Sequence, residues 1–309
     1  MSKTNQTDLL RTHLNVKWLR PESALWDAIA SILISKYEIV PPSLDLGCGN
    51  GIFSFITAGG DFSIDYDWYI NVADTREFWE NRDIYDTYTL SSAKYITVKP
   101  GYSFTYGLDH KLNLLNQAKN LSFYENTLEY NANLALPFDD RKFKTVFSNI
   151  LYWLNDPTYT LGEIYRILDT GGSALLCIPN SNFFDYCVTY RWKETNSELL
   201  RLLNRGRSES MHRTFSYKEF VGMSRNVGFE VSDHGYYLSP LTLNIWDIGL
   251  RSLSPHLIKM TNCLTPDERR NIKKEWMETL MMLIDPLFQM EMANKIEGGF
   301  HLFVLNKSH

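Results

Sequence analysis

The stretch Ser43 to Phe55, SLDLGCGNGIFSF, sets three glycines within five positions directly after a short apolar run that contains an acid. Glycine weakens strands and helices alike, so this clustering requires a backbone that turns sharply or comes close to something. A strand ending in such a turn and followed by an apolar helix start predicts an α/β layer with a ligand at the turn. The remaining alternation agrees. Strands are predicted at Ser103–Leu108, Thr127–Tyr130, Thr145–Ser148 and Ala174–Ile178, after Gly228 and over the closing GGFHLFVLNKS, and helices at Lys111–Asn120 and Thr158–Leu168, with a glycine turn at Gly171–Gly172. Strand and helix taking turns predicts a parallel sheet covered on both faces. The expected fold is a doubly wound, Rossmann-like, seven-stranded and mostly parallel sheet with helical insertions forming a cap.

A glycine turn between strand and helix serves dinucleotide enzymes as well, but two details argue against a pyrophosphate. The spacing is GxGxG (Gly47, Gly49, Gly51) and not GxGxxG, and Asp45 sits just ahead of the loop, where its charge opposes a diphosphate. A ligand with a cationic end suits that acid better.

These residues resemble the class I S-adenosylmethionine-dependent methyltransferases, colinearly over about Ser43 to Asn180 and again over His212 to Val231. LDLGCGNG is similar to that family's first motif, whose acid and glycine backbone hold the methionine moiety. The resemblance implies Asp45, Gly47, Cys48, Gly49, Asn50 and Gly51 for S-adenosylmethionine. TYGLDHKLNLLNQAKN resembles the second strand and helix, which implies Asp109 as the ligand of both ribose hydroxyls, with His110 touching the cofactor. NANLALPFDDRKFKTVFSNILYWLNDP resembles the third and fourth strands. The adenine-contacting position falls on Asn131 or Asn133, around Ala132, and Ser148 and Asn149 would line the methionine end. EIYRILDTGGSALLCIPN matches the family's helix, turn and fifth strand.

Two departures stand out. From Gly51 to Asp109 there are 58 positions, where a fold of this type spends about twenty. The segment from Gly59 to Gly101 is therefore read as an ordered, aromatic-rich insertion, able either to recognise substrate through Tyr66 and Trp68 or to form an aromatic core of its own. A rival alignment makes Phe62–Ile64 the second strand and Asp65 the ribose ligand, but it leaves no good helix after it. In addition, many relatives carry a histidine where Trp153 follows Leu151 and Tyr152; Tyr152 and Trp153 become candidate substrate contacts and the histidine's role does not carry over. His212 is the candidate catalytic base, within a run that resembles the family's segment near the acceptor. His301, on the last strand, could simply pack. Arg201, Arg205, Arg207 and Arg213 form the one local basic cluster.

The expected organisation is an N-terminal helical segment over 1–40, a methyltransferase core over 41–182, 212–239 and 297–309, the aromatic insertion at 59–101, and helical insertions at 183–211 and 240–296 forming a substrate cap. A formal net charge of -5 disfavours nucleic acid and anionic membranes. Four cysteines without a CxxC pair specify no zinc site or disulfide framework, and no metal is expected. No apolar run reaches the roughly 20 residues of a membrane span, and the expected location is the cytoplasm. The apolar face of residues 275–290 could mediate a homodimer. The function expected is methyl transfer to a small-molecule acceptor such as a sugar, lipid precursor or secondary metabolite. The alternatives are a silent cofactor-binding module and a macromolecule-directed methyltransferase.

Overall fold

The computed structural model describes residues 3–70, 91–204, 211, 213–248, 253–294 and 296–308. Two antiparallel helices lead the chain, α1 (Lys3–Val16) and α2 (Pro21–Ile34). Pro21 at the first position of α2 suits a helix start, where its missing N–H costs nothing. There follow β1 (Ser43–Leu46), α3 (Ile52–Thr57), β2 (Asp61–Phe62), β3 (Ile96–Val98), β4 (Phe104–Asp109), α4 (Leu112–Asn120), β5 (Tyr124–Glu129), β6 (Phe143–Ser148), α5 (Pro157–Ile167) and β7 (Leu168–Pro179). The second half contributes α6 (Ser197–Asn204), α7 (Tyr217–Val227), β8 (Phe229–Tyr237), α8 (Pro240–Ile248), α9 (Ser254–Thr261), α10 (Pro266–Ala293) and β9 (Phe300–Lys307).

Seven strands form one sheet in the order β5-β4-β1-β6-β7-β9-β8. All pairings are parallel except those of β9, which runs antiparallel to both β7 and β8. The chain moves from β1 outward to β4 and β5, then returns to β6 on β1's other side. The order therefore reverses between β1 and β6, and ligands of open α/β sheets bind at such a point, beyond the carboxyl ends of the strands.

The sheet's two faces carry separate cores, as the two-residue period of a strand requires. Leu44, Leu46, Val146, Leu176 and Leu305 face α5 and α7. Phe147, Leu175, Cys177, Leu302 and Val304 face the layer made by α1, α2, α3 and α10. The central strands β1 and β6 are buried along nearly their whole length.

Several elements differ from the sequence expectation. β5 starts at Tyr124 and not at Thr127, because the polar run Tyr124-Glu125-Asn126 lies on the sheet's edge strand, where outward positions stay in water. Gly171 and Gly172 lie inside β7, at a shift in its register against β6, and do not form a turn ahead of it. Residues 183–188 are not helical; a 3-10 turn at Thr189–Trp192 and α6 follow.

The described part of the insertion forms a two-stranded antiparallel ribbon of β2 and β3 outside the main sheet. Its ends meet where the Gly101 amide donates to the Ala58 carbonyl at 2.7 Å. A buried ion pair fastens the ribbon to the start of α10: Arg269 Nε donates to Asp67 Oδ2 at 2.5 Å, and Asp67 Oδ1 accepts from Trp18 Nε1 at 3.2 Å. Lys273 Nζ donates to the carbonyls of Ile64 and Tyr66. The second strand of the fold is thus β4, and Asp65, at the protein surface in an ion pair with Arg270, is not at the end of any strand of the main sheet. Among the described residues no helix is long and apolar enough to cross a membrane.

Candidate functional site

The glycine loop joins the carboxyl end of β1 to α3. Gly47, Gly49 and Gly51 all hold positive φ, at 84°, 56° and 76°, a region that glycine alone enters freely. Two of them are also sterically closed. A Cβ on Gly47 would lie 2.4 Å from Ile150, and one on Gly51 would lie 2.7 Å from the ring of Tyr124. Gly49 has open space apart from Leu114 at 4.0 Å. The loop is pinned to the neighbouring strand, since the amides of Gly47 and Cys48 both donate to Leu108 O, at 2.8 and 3.0 Å.

Asp45 projects from β1 beneath this loop and is almost fully buried. Its Oδ2 accepts from Ser54 Oγ of α3 at 2.6 Å and from Tyr124 Oη of β5 at 2.7 Å, and its Oδ1 accepts nothing among the described residues. Burial pushes its carboxyl up to about 6, while the two hydroxyl donors hold it down. Asp109 ends β4. Its Oδ2 accepts the Gly49 amide at 2.9 Å and its Oδ1 the Lys111 amide at 2.9 Å. His110 is exposed, with Nδ1 3.5 Å from Asp109 Oδ1. Burial and the nearby charges of Asp45 and Asp109 push the Cys48 thiol up, which keeps it neutral.

Asn131 and Asn133 follow β5. Asn131 Oδ1 accepts from both the backbone and side-chain nitrogens of Asn133, and Asn133 Oδ1 accepts the Asn155 amide at 2.8 Å. Ala132, between them, is buried. This ties the turn after β5 to the turn after β6. Ser148 is wholly buried and spends its hydroxyl on Leu46 O at 3.0 Å, so it braces β6 against β1. The Asn149 side chain, next in the chain and half-buried, makes no hydrogen bond to the described residues.

The structure therefore brings Asp45, the glycine loop, Asp109, His110 and Asn149 to one edge of the sheet, with the Asn131–Asn133 turn beside them. The proposed substrate contacts divide. Tyr152 is buried and packs edge-on against Phe300, and Trp153 beside it is 48% exposed at the same edge. Tyr66 and Trp68 are instead core residues: Tyr66 stacks on Phe62 and touches Tyr95, and Trp68 packs against Tyr69 with Lys17 over its ring. Those contacts lie in the layer of α1, the ribbon and α10. The aromatic density of this segment serves packing here, as fully buried tyrosine and tryptophan usually do. His212, with Arg205 and Arg207, lies outside the described residues. Arg201 is exposed near Glu198, and Arg213 donates to Asn155 O. His301 does pack: it is fully buried, with Nε2 on Phe215 O and Nδ1 on His234.

Three contributors were not visible in the sequence reading. Ser54 and Tyr124 complete the surroundings of Asp45, and Ile150 covers Gly47. The signal for Ser54 was present, nine positions after Asp45 and on the first turn of the helix that follows. Tyr124 could be found only through tertiary placement.

An S-adenosylmethionine molecule fits these residues. The free Oδ1 of Asp45 offers a negative charge to an ammonium. In the same loop Asn50 buries a side-chain Nδ2 that has no acceptor among the described residues, a donor suited to a carboxylate.

The methyltransferase-domain family model matches residues 91–176. That span runs from β3 into β7 and holds Asp109, the Asn131–Asn133 turn and Asn149, and it begins after the glycine loop. No curated protein matches the chain. Among solved structures, the chain is similar to the complex between the Haloferax volcanii Trm112 methyltransferase activator and a methyltransferase, at 17% identity over 93% of this chain and 92% of that one, TM-score 0.47. A methyltransferase from Thermotoga maritima is similar at 14% identity, with 92% and 89% covered and a TM-score of 0.46. The [4+2]-cyclase SpnF is similar at 13% identity, with 91% and 82% covered and a TM-score of 0.45. At these scores none of the three fixes a substrate or a partner.

Proposed function

We propose that this chain, a class I S-adenosylmethionine-dependent methyltransferase by its domain match over residues 91–176 and by its sheet order, methylates a small-molecule acceptor at the carboxyl edge of β6 and β7. One observation carries the reading: Asp45, the glycine loop and Asp109 meet where the strand order reverses. Asp45 and Asn50 would hold the two ends of the donor's amino-acid part, and Asp109 its ribose. The bound donor supplies an electrophilic methyl on sulfur, and the chain's part is then to position an acceptor atom. Close alignment of the reacting atoms can supply much of such a rate enhancement.

Support for a small acceptor comes from what covers this edge. Trp26 of α2, Trp246 of α8, Phe183 after β7 and Phe300 at the start of β9 form one aromatic cluster, with Tyr152 against Phe300. Helices α2 and α8 thus close over β7 and β9 at their donor-side ends. The excess of acidic groups also disfavours a nucleic-acid acceptor.

The test has two arms. Titration calorimetry should show S-adenosylhomocysteine binding at about micromolar affinity, with no heat from NAD. Incubation with methyl-labelled donor and a fractionated cell extract should then place label in the low-molecular-mass fraction. Label found only in protein or nucleic acid overturns the small-acceptor reading, and binding of NAD alone overturns the donor.

A further inference from the structure

The ring of Tyr124 is wedged between two glycines. A Cβ on Gly51, in the loop, would stand 2.7 Å from its Cε2, and a Cβ on Gly107, in β4, would stand 2.8 Å from its Cδ1. Nothing larger than hydrogen fits on either side, so the ring has one place to lie. That place carries the hydroxyl across β4, from the edge strand to Asp45 on the central one, where Oη meets Oδ2 at 2.7 Å. Ser54 Oγ of α3 donates to the same oxygen at 2.6 Å. The carboxylate is thus fixed through Oδ2, and Oδ1 has no partner among the described residues.

We propose that Tyr124 is a positioning residue for donor binding: its hydroxyl, with that of Ser54, orients the Asp45 carboxylate so that Oδ1 faces the cationic end of the donor and keeps the acid ionised in a buried place. This rests on the assignment of Asp45 to the donor site. A phenol on the edge strand thereby serves a ligand it need not touch. The physical reason is that a buried carboxylate without donors reverts to its neutral acid, which cannot pair with an ammonium.

The groups that face Asp45 come from five places, and three of them push its ionisation in a definite direction. Ser54 from α3 and Tyr124 from β5 favour the ionised form through hydrogen bonds, whereas Asp109 at the end of β4 opposes it through like charge. Cys48 in the loop and Tyr102 before β4 are both held neutral, in part by the charge of Asp45 itself. Among these neighbours none is cationic, so the two hydroxyls are what the acid has in place of a counter-ion.

The experiment is the pH dependence of S-adenosylhomocysteine affinity, by calorimetry from about pH 5 to pH 8, for wild type and Tyr124→Phe. Phenylalanine keeps the ring between the two glycines and deletes only the hydroxyl. The expected result is a binding midpoint raised by about one pH unit, the scale of one hydrogen bond to a carboxylate. Affinity should fall several-fold near pH 6 and approach wild type near pH 8. A uniform loss at every pH, or an unchanged profile, overturns the proposal, because a packing defect has no reason to follow the charge on Asp45. If Tyr124→Phe does not fold, 3-fluorotyrosine at position 124 provides the readout. It is a stronger donor of nearly the same shape and should move the midpoint down; no shift counts against the proposal. Asp45→Asn separates the two levels. If it binds the ligand as tightly as wild type, the donor-site assignment fails and the role of Tyr124 with it. If it abolishes the pH dependence while Tyr124→Phe leaves it in place, only the role of Tyr124 fails.

Discussion

The amide of Gly49 donates to the carboxylate of Asp109 at 2.9 Å, so the acid at the end of β4 is bonded to the middle of the loop that leaves β1. One side chain therefore has two tasks. It closes the crevice between neighbouring strands and, in the proposed function, accepts both ribose hydroxyls of the donor. Replacing Asp109 with alanine should weaken S-adenosylhomocysteine binding by about 1.5 to 3 kcal/mol, the range for hydrogen bonds to a charged group. Asp65→Ala should leave affinity unchanged, since Asp65 pairs with Arg270 outside the main sheet. Calorimetry on both variants checks this, and the reverse ranking would return the ribose site to the insertion.

Asp45 should make the ligand-free protein less stable than it could be. Its folded pKa, about 6, lies above the ordinary 3.8 because of burial. A group raised in this way contributes stability below pH 3.8 that is lost as the pH rises through 6. Above that range the ionised, buried carboxylate costs on the order of 2 to 4 kcal/mol. Asp45→Asn should accordingly melt higher than wild type near pH 7.5 without ligand, with the gain shrinking near pH 4.5. It should at the same time lose donor affinity. Thermal melts at both pH values decide it, and an asparagine variant that melts lower at neutral pH refutes the account.

How much of this was legible in the sequence depended on whether a residue's role is local. Asp45 and the glycines announce themselves because strand, turn and helix are contiguous, and Asp109 because it ends an apolar run and precedes a helix. Tyr124 was hidden for the opposite reason: its partners Asp45, Gly51 and Gly107 come from three other segments, and it opens an edge strand whose polar residues blur the pattern. Tyr66 and Trp68 misdirected, since aromatic density in an insertion reads equally as a binding surface or as a core. Only the contacts of Asp67 and Tyr66 with α10, more than two hundred positions along the chain, make it a core.

Gly51 should tolerate substitution less well than a left-handed glycine with open space around it. Gly51→Ala forces a Cβ to within 2.7 Å of Tyr124 at φ 76°. The backbone conformation costs about 1 to 2 kcal/mol and the overpacking about 1 to 3 more. Gly59→Ala is the matched control, since Gly59 holds φ 91° with nothing within 4 Å of its would-be Cβ, so it should show the backbone cost alone. Urea titration of the two variants should rank them in that order. Donor affinity should fall for Gly51→Ala only, because displacement of Tyr124 also disturbs the Asp45 carboxylate. Equal costs at the two sites would mean that the loop relaxes freely around the new methyl.

The pair Asp67–Arg269 separates the insertion's structural part from the chemistry of the sheet edge. Both side chains are buried, and removing one partner leaves an uncompensated charge, which typically costs about 3 to 5 kcal/mol. Arg269→Met should therefore lower stability by about that amount. It should leave S-adenosylhomocysteine affinity of the folded protein near wild type, since neither residue reaches the glycine loop or Asp109 by any hydrogen bond or ion pair among the described residues. The double variant Asp67→Asn with Arg269→Met removes both charges and should recover a good part of the loss, because residues in contact do not add independently. Asp67 also accepts from Trp18 and from the Tyr69 amide, and asparagine can keep one of those bonds through its carbonyl. Denaturant melts of the two single variants and the double variant give the coupling directly. Donor affinity lost in step with stability would show instead that the ribbon and the start of α10 hold the donor site itself in shape.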